Sequence, residues 1–180
     1  MKITVFLASS LGNSPLYQEK AKELGRWIAE NGHTLVYGGS RSGLMGIIAH
    51  SALDAGGKVI GVEPQIFIDK ELQLDGLTEL IVTPDMMSRK TKLLEMGEAF
   101  IVFPGGLGTL EEFADLLCAK GLKHILAPCF FYNLDVFFNP VADFLKTSYA
   151  AGYVTKEKLE GVFFVNSTEA IEKAINGKKA

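Results

Sequence analysis

The sequence predicts an α/β fold, one doubly wound parallel sheet with helices on both faces, held in a single domain over residues 1–180. Three observations lead there. Short runs rich in β-branched and aromatic residues alternate with helix-like stretches at the spacing of βαβ units. Glycine-bearing turns fall at the carboxyl ends of those runs, where open parallel sheets place their ligand crevice. No linker or composition shift marks a second domain.

Strands are expected at residues 3–8, 34–37, 58–62, 79–83, 99–103, 129–132 and 162–165, with helices between them. The apolar segment after Met1-Lys2 is shorter than a secretory core and fits a first strand. Ser14-Pro15 supplies a cap and first-turn proline for a helix ending at Glu30. Pro84-Asp85 starts another that runs to Gly97, and residues 113–120 carry helical apolar spacing. Asn166-Ser167-Thr168-Glu169 opens the last helix.

Composition narrows the class. A chain of 180 residues with 48% hydrophobic content can bury a sizeable core. Its net charge of −3, without any Lys/Arg stripe, argues against nucleic acid as a partner. No apolar run approaches the length of a membrane span, and Pro128 interrupts residues 125–132. Cys118 and Cys129 lack metal or disulfide spacing and read as reduced core thiols of a cytoplasmic protein, with no metal implied.

The most informative stretch runs from Pro104 to Glu112, where a glycine loop joins a strand to a helix start. Free amides and the positive dipole end of a helix attract an anion there, and glycines let a phosphate approach the backbone. Thr109 and Glu112 also have the spacing of a capping box. Capping leaves Gly105, Gly106 and Gly108 unexplained; the Asn166 segment has similar cap-and-acid spacing and no glycine loop. A second turn, Gly38 to Gly46, offers another anion-binding helix start but lacks the GK[ST] ending of a P-loop. In the third, Ala8 to Ser14, hydroxyl residues suit either ligand hydrogen bonds or ordinary turn chemistry. Gly106-Leu107-Gly108 meets Glu111 where a dinucleotide fingerprint needs glycine, which disfavours nicotinamide and flavin cofactors. Met86, Arg89, Leu93 and Met96 share one helical stripe, which turns Arg89 inward. Lys90 lies on a neighbouring stripe and Lys92 faces water.

These residues together carry a resemblance. Pro104 to Glu112 matches the P-G-G-x-G-T-x-x-E signature, and with Gly38-Gly39 through Gly43-Leu44-Met45-Gly46 and Arg89-Lys90 the chain resembles the Lonely Guy family from Val5 to about Ile175. That resemblance implies a Rossmann-like fold, a homodimer with sites near the subunit interface, and neither metal nor organic cofactor. It further implies hydrolysis of a cytokinin-type nucleoside 5′-monophosphate, an adenosine 5′-monophosphate with or without an N6 substituent, to free base and ribose 5-phosphate. Three departures stand out: Ser88 where the family usually has His, Ser40 in place of a third glycine, and Leu7-Ala8-Ser9 in place of Cys-Gly-Ser.

Cleavage of an N-glycosidic bond builds positive charge on the ribose and negative charge on the departing base. Glu112 is the expected base for the attacking water, with Arg89 as its partner, and these two are the catalytic candidates. The amides of Gly105, Gly106, Gly108 and Thr109 are expected to hold the 5′-phosphate. Ser9, Gly39, Ser40, Gly43, Met45, Lys90 and Glu111 complete the substrate-binding set. The rival readings are a non-catalytic carrier of a nucleotide or molybdopterin-like cofactor, and a pyridoxal-phosphate lysine decarboxylase, for which no lysine stands in a suitable setting.

Overall fold

The computed structural model describes residues 1–177. Seven parallel strands form one sheet in the order β4-β3-β2-β1-β5-β6-β7. They are β1 (Lys2–Phe6), β2 (Thr34–Tyr37), β3 (Lys58–Pro64), β4 (Glu79–Thr83), β5 (Ala99–Val102), β6 (Cys129–Tyr132) and β7 (Val162–Val165). The helices are α1 (Pro15–Glu30), α2 (Gly43–Asp54), α3 (Gln65–Ile68), α4 (Met86–Met96), α5 (Leu107–Gly121), α6 (Asn139–Ala150) and α7 (Thr168–Asn176). From β1 the chain builds outward through β4, then returns to place β5 on the other side of β1. The strand order therefore reverses between β1 and β5, which opens a crevice at their carboxyl ends.

Both faces of the sheet are covered, so the central strands are mostly apolar, with Thr4 and Glu63 as buried polar exceptions. On one face Ile3, Val5, Leu35 and Ile101 pack with Leu24 and Ile28 of α1, Ile48 of α2 and Ile171 of α7. On the other, Phe6, Val36, Phe100, Val102 and Phe131 pack with Leu93 of α4, Leu116 of α5 and Val141 of α6. The two edge strands differ from the centre: β4 and β7 each leave most residues at least partly accessible.

The expected strand positions agree with these, with shifts at four ends, the smallest being β1, which begins one residue earlier at Lys2. β1 stops at Phe6, because Ala8 and Ser10 turn their carbonyls to the start of α2. β3 continues to Pro64, its pairing with β4 extending through Pro64 and Thr83. β5 ends at Val102, one residue short, as the chain turns into Pro104. The helix starts at Ser14 and Asp85 are as read, each side chain accepting an amide hydrogen from its first turn. Cys129 is buried, but Cys118 is exposed on α5, whose inward residues are Thr109, Phe113, Leu116 and Lys120. The expectation of two core thiols thus holds for one of them.

Candidate active site

Arg89 organises the crevice. Asp85 caps α4 by accepting the Ser88 amide at 2.7 Å, and this phase turns Arg89 into the fold, where it is 6% exposed. Its Nε donates to the Val62 carbonyl at 2.9 Å and Nη2 to the Gly38 carbonyl at 3.2 Å. Nη1 donates to Glu112 Oε1 at 3.3 Å. One guanidinium so ties the ends of β2 and β3 to α5. A Cβ on Gly38 would lie 2.1 Å from Nη2, which explains a glycine there without any ligand.

Glu112 is nearly as buried as its partner. Burial pushes its carboxyl up to about 7; the Arg89 charge opposes that rise and Glu111 adds to it. A carboxylate titrating near neutrality beside a fixed cation is suited to take a proton from water.

The Pro104 turn delivers a helix N-terminus to the same crevice. Gly106 is the N-cap of α5 and no side chain caps it. Among the described residues, none accepts the amides of Leu107, Gly108 or Thr109. A Cβ on Gly106 or Gly108 would meet open space, so packing does not demand glycine at either position. At Gly105 a Cβ would lie 2.1 Å from Thr109 Oγ1, so this glycine lets the buried threonine fold back. The capping-box expectation is overturned. Thr109 sits three residues inside the helix and Glu112 six, because α5 starts at Leu107, ahead of the apolar spacing that marks its body.

The second turn works differently from the anion site expected of it. The Leu44 and Met45 amides at the start of α2 donate to the Ser10 and Ala8 carbonyls at 3.3 and 3.2 Å. Those donors are spent on the β1 turn. Gly43 has φ +59°, and a Cβ there would lie 2.2 Å from the carbonyl carbon of Ser9. It holds the first turn against α2.

A cavity of about 350 Å³ gathers these features. Ser9, Ser40, Met45 and Arg89 line it, as do Gly106, Gly108, Thr109 and Glu112. Gly39, Gly43, Gly105, Lys90 and Glu111 do not line it, contrary to expectation. The three glycines act behind the wall. Lys90 reaches Glu111 Oε1 at 2.7 Å and Asp115 Oδ2 at 2.9 Å, so it braces α4 against α5. Ser40 is largely committed as well, its Oγ accepting the Ser42 amide at 3.1 Å. Among the described residues no lysine lines the cavity.

The residue missed by sequence reasoning is Glu63. It is fully buried at the end of β3, borders the cavity, and among the described residues has no hydrogen-bond partner for either carboxyl oxygen. Burial raises its pKa to about 7 against the pull of Arg89. The available signal was a lone acid in an otherwise apolar strand, placed at its carboxyl end.

Comparison with known proteins matches these features to relatives. The model of a family described as "Possible lysine decarboxylase" matches residues 45–175. A cytokinin riboside 5′-monophosphate phosphoribohydrolase of Rhodococcoides fascians is 38% identical over 174 residues, covering 96% of this chain and 88% of that protein. The chain belongs to the Lonely Guy family. A family member from Oryza sativa subsp. japonica, cytokinin riboside 5′-monophosphate phosphoribohydrolase LOG, is 34% identical; the match covers 87% of this chain and 64% of the rice protein. The Lonely Guy fold is shared more widely. A molybdenum cofactor binding protein from Rippkaea orientalis superposes with a TM-score of 0.75 at 23% identity, covering 99% of this chain and 97% of the other. A molybdenum cofactor carrier protein of Chlamydomonas reinhardtii gives 0.70 at 25% identity, covering 97% and 98%.

Proposed function

We propose that this protein is a nucleoside 5′-monophosphate phosphoribohydrolase, taking an adenosine 5′-monophosphate with or without an N6 substituent to free base and ribose 5-phosphate. The observation that carries this reading is the Glu112–Arg89 pair within one cavity with the uncapped amides of α5. The 5′-phosphate rests on the Leu107, Gly108 and Thr109 amides, so the helix dipole fixes one end of the substrate. The ribose then reaches Glu112. Its carboxylate takes a proton from water as the oxygen attacks the anomeric carbon, and its charge stabilises the ribosyl cation. Arg89 favours the ionised carboxylate before it takes the proton and holds it to the ends of β2 and β3. No step calls on a metal or organic cofactor.

The same sheet occurs in molybdenum cofactor carriers, which makes binding without chemistry the second reading. Incubating the purified protein with AMP, with N6-isopentenyl-AMP and with adenosine separates the two. Release of base from the phosphorylated compounds, and at most trace release from adenosine, is the expected result. Equal turnover of adenosine and AMP would remove the phosphate cradle from the account, and tight binding without release would favour the carrier.

We infer in addition that the working form is a homodimer in the cytoplasm. An apolar groove of about 680 Å³ runs between α5 and α6, with Leu110, Phe144 and Tyr153 exposed along it. Leu110 precedes Glu111 and Glu112, so a second copy seated there would adjoin the site. No helix of the described residues is long and apolar enough to cross a membrane.

A further inference from the structure

Glu63 faces the catalytic cavity with no assigned part in the chemistry. Glu63 borders the cavity, but the side chain is fully buried, its two carboxyl oxygens lie just behind the cavity surface, and neither meets a donor among the described residues. A buried polar group left without partners costs stability, so its retention calls for a ligand. The backbone is shaped to leave it clear. Gly39 has φ +84°, and a Cβ there would lie 2.4 Å from Glu63 Cγ, so any other residue at this turn would press on the carboxyl.

Its place in the crevice orders the substrate. The phosphate cradle follows β5, and β3 lies three strand spacings away across β1 and β2, about 14 Å at the usual 4.8 Å separation. Arg89 spans the interval, bonded to Val62 and Gly38 on one side and to Glu112 on the other. A nucleotide whose phosphate sits on α5 and whose ribose meets Glu112 therefore extends its base toward Glu63. Phe67, Leu72 and Met86 supply apolar walls in the same cavity.

We propose that Glu63 is a second catalytic carboxyl, which hydrogen-bonds the base in its neutral form and donates its proton as the base departs. Water adds through oxygen to the anomeric carbon and loses a proton to Glu112. The electron pair of the breaking C–N bond moves onto the base, and a ring nitrogen of the base takes the Glu63 proton. Solvent then returns a proton to Glu63 and removes one from Glu112. Two carboxyls on opposite sides of the scissile bond, one acid and one base, are what glycosidic hydrolysis uses. The charged and titratable groups around Glu63 are Arg89 from α4, Tyr37 from β2 and Glu112 from α5 across the cavity; α2 and α3 present Met45 and Phe67. Burial outweighs the Arg89 charge and holds Glu63 about half protonated near neutrality.

This proposal rests on the phosphoribohydrolase reading, and the test keeps the two apart. Wild type and Glu63→Gln are assayed with AMP and with 4-nitrophenyl β-ribofuranoside 5-phosphate, whose leaving group departs as a stable anion without a proton. The variant is expected to lose roughly 100-fold or more in kcat with AMP, the usual range for removing a general acid. With the nitrophenyl substrate it should stay within about threefold of wild type. Wild type should show an alkaline fall in kcat/KM with AMP, lost in the variant and absent with the nitrophenyl substrate. Equal losses on both substrates would assign Glu63 to ribose binding or to folding, and no loss on AMP would leave it without a chemical part; either overturns the proposal. The wild-type profiles need no variant, and an alkaline fall on both substrates overturns it too. Failure of wild type on both substrates would overturn the phosphoribohydrolase reading itself.

Discussion

At the residue scale the proposed chemistry rests on Arg89 and two glutamates, whose burial opposes stability. Two acids inside the fold must either pair or stay protonated. Glu112 has Arg89; Glu63 has only the more distant field of the same cation. Glu112→Gln should keep the fold and phosphate affinity, because Glu112 caps nothing, while kcat falls about 100-fold or more through loss of the base. Near-normal turnover in that variant would remove the water-activating role. Stability should respond to pH through Glu63. Its pKa stands near 7 in the fold against 4.5 for the free group, so the fold holds the extra proton between those values. Stability is therefore fully present below about pH 4.5 and falls as pH rises through 7. Glu63→Gln should remove the Glu63 share of this loss, with Glu112, also raised to about 7, still contributing its own; the melting temperature should rise by several degrees at pH 8.5 and change little at pH 4. Parallel melting curves of both proteins across that range check the sign.

At the scale of elements, two strand-to-helix turns with similar glycine content do opposite things. At α2 the first amides are consumed by the Ala8 and Ser10 carbonyls; at α5 they remain open. Sequence spacing cannot separate these cases, because the difference lies in which distant loop folds over the helix start. The inward phase of Arg89 was legible, since helical periodicity alone sets it, whereas the Lys90 pairing with Glu111 and Asp115 depends on how α4 meets α5. Strands were legible for the same local reason, being apolar runs closed by turn residues. Glu63 was not, because a single acid in a strand carries no period. The contrast between the turns is testable through their glycines. Gly108→Ala meets no neighbour, and alanine is the better helix former by about 0.5–1 kcal/mol, so the variant should be slightly more stable. Its methyl group stands beside the open amides, and affinity for ribose 5-phosphate should fall. Gly43→Ala adds a Cβ at φ +59° against the Ser9 carbonyl, and should cost more than about 1 kcal/mol. Calorimetry and ribose 5-phosphate titration on both variants measure the contrast. Unchanged affinity in Gly108→Ala would move the phosphate elsewhere.

At the scale of the molecule, the sheet buries both faces, yet large apolar side chains remain outside along α5 and α6. Leu107 and Tyr153 are each 84% exposed, and Phe144 is 68% exposed. Around them Leu110, Phe113 and Leu117 line a groove with Leu145 and Leu159 opposite, and an exposed apolar surface of this extent marks an interaction site. A second copy is the occupant proposed above, and a closed pair would place the same groove of each chain against the other. In that arrangement helix α5 would use two faces, its N-terminus for the proposed phosphate and its outward stripe for the partner. Assembly and activity should fall together for that reason. Phe144→Glu puts a charge into the groove on α6, away from the cavity that holds Arg89 and Glu112. Sedimentation at micromolar concentration should shift from a dimer to the 19.6 kDa monomer, with an unchanged circular dichroism spectrum and lowered kcat/KM for AMP. A monomeric variant with full activity would make the interface structural only. A wild-type protein that sediments as a monomer would leave the groove to a different partner.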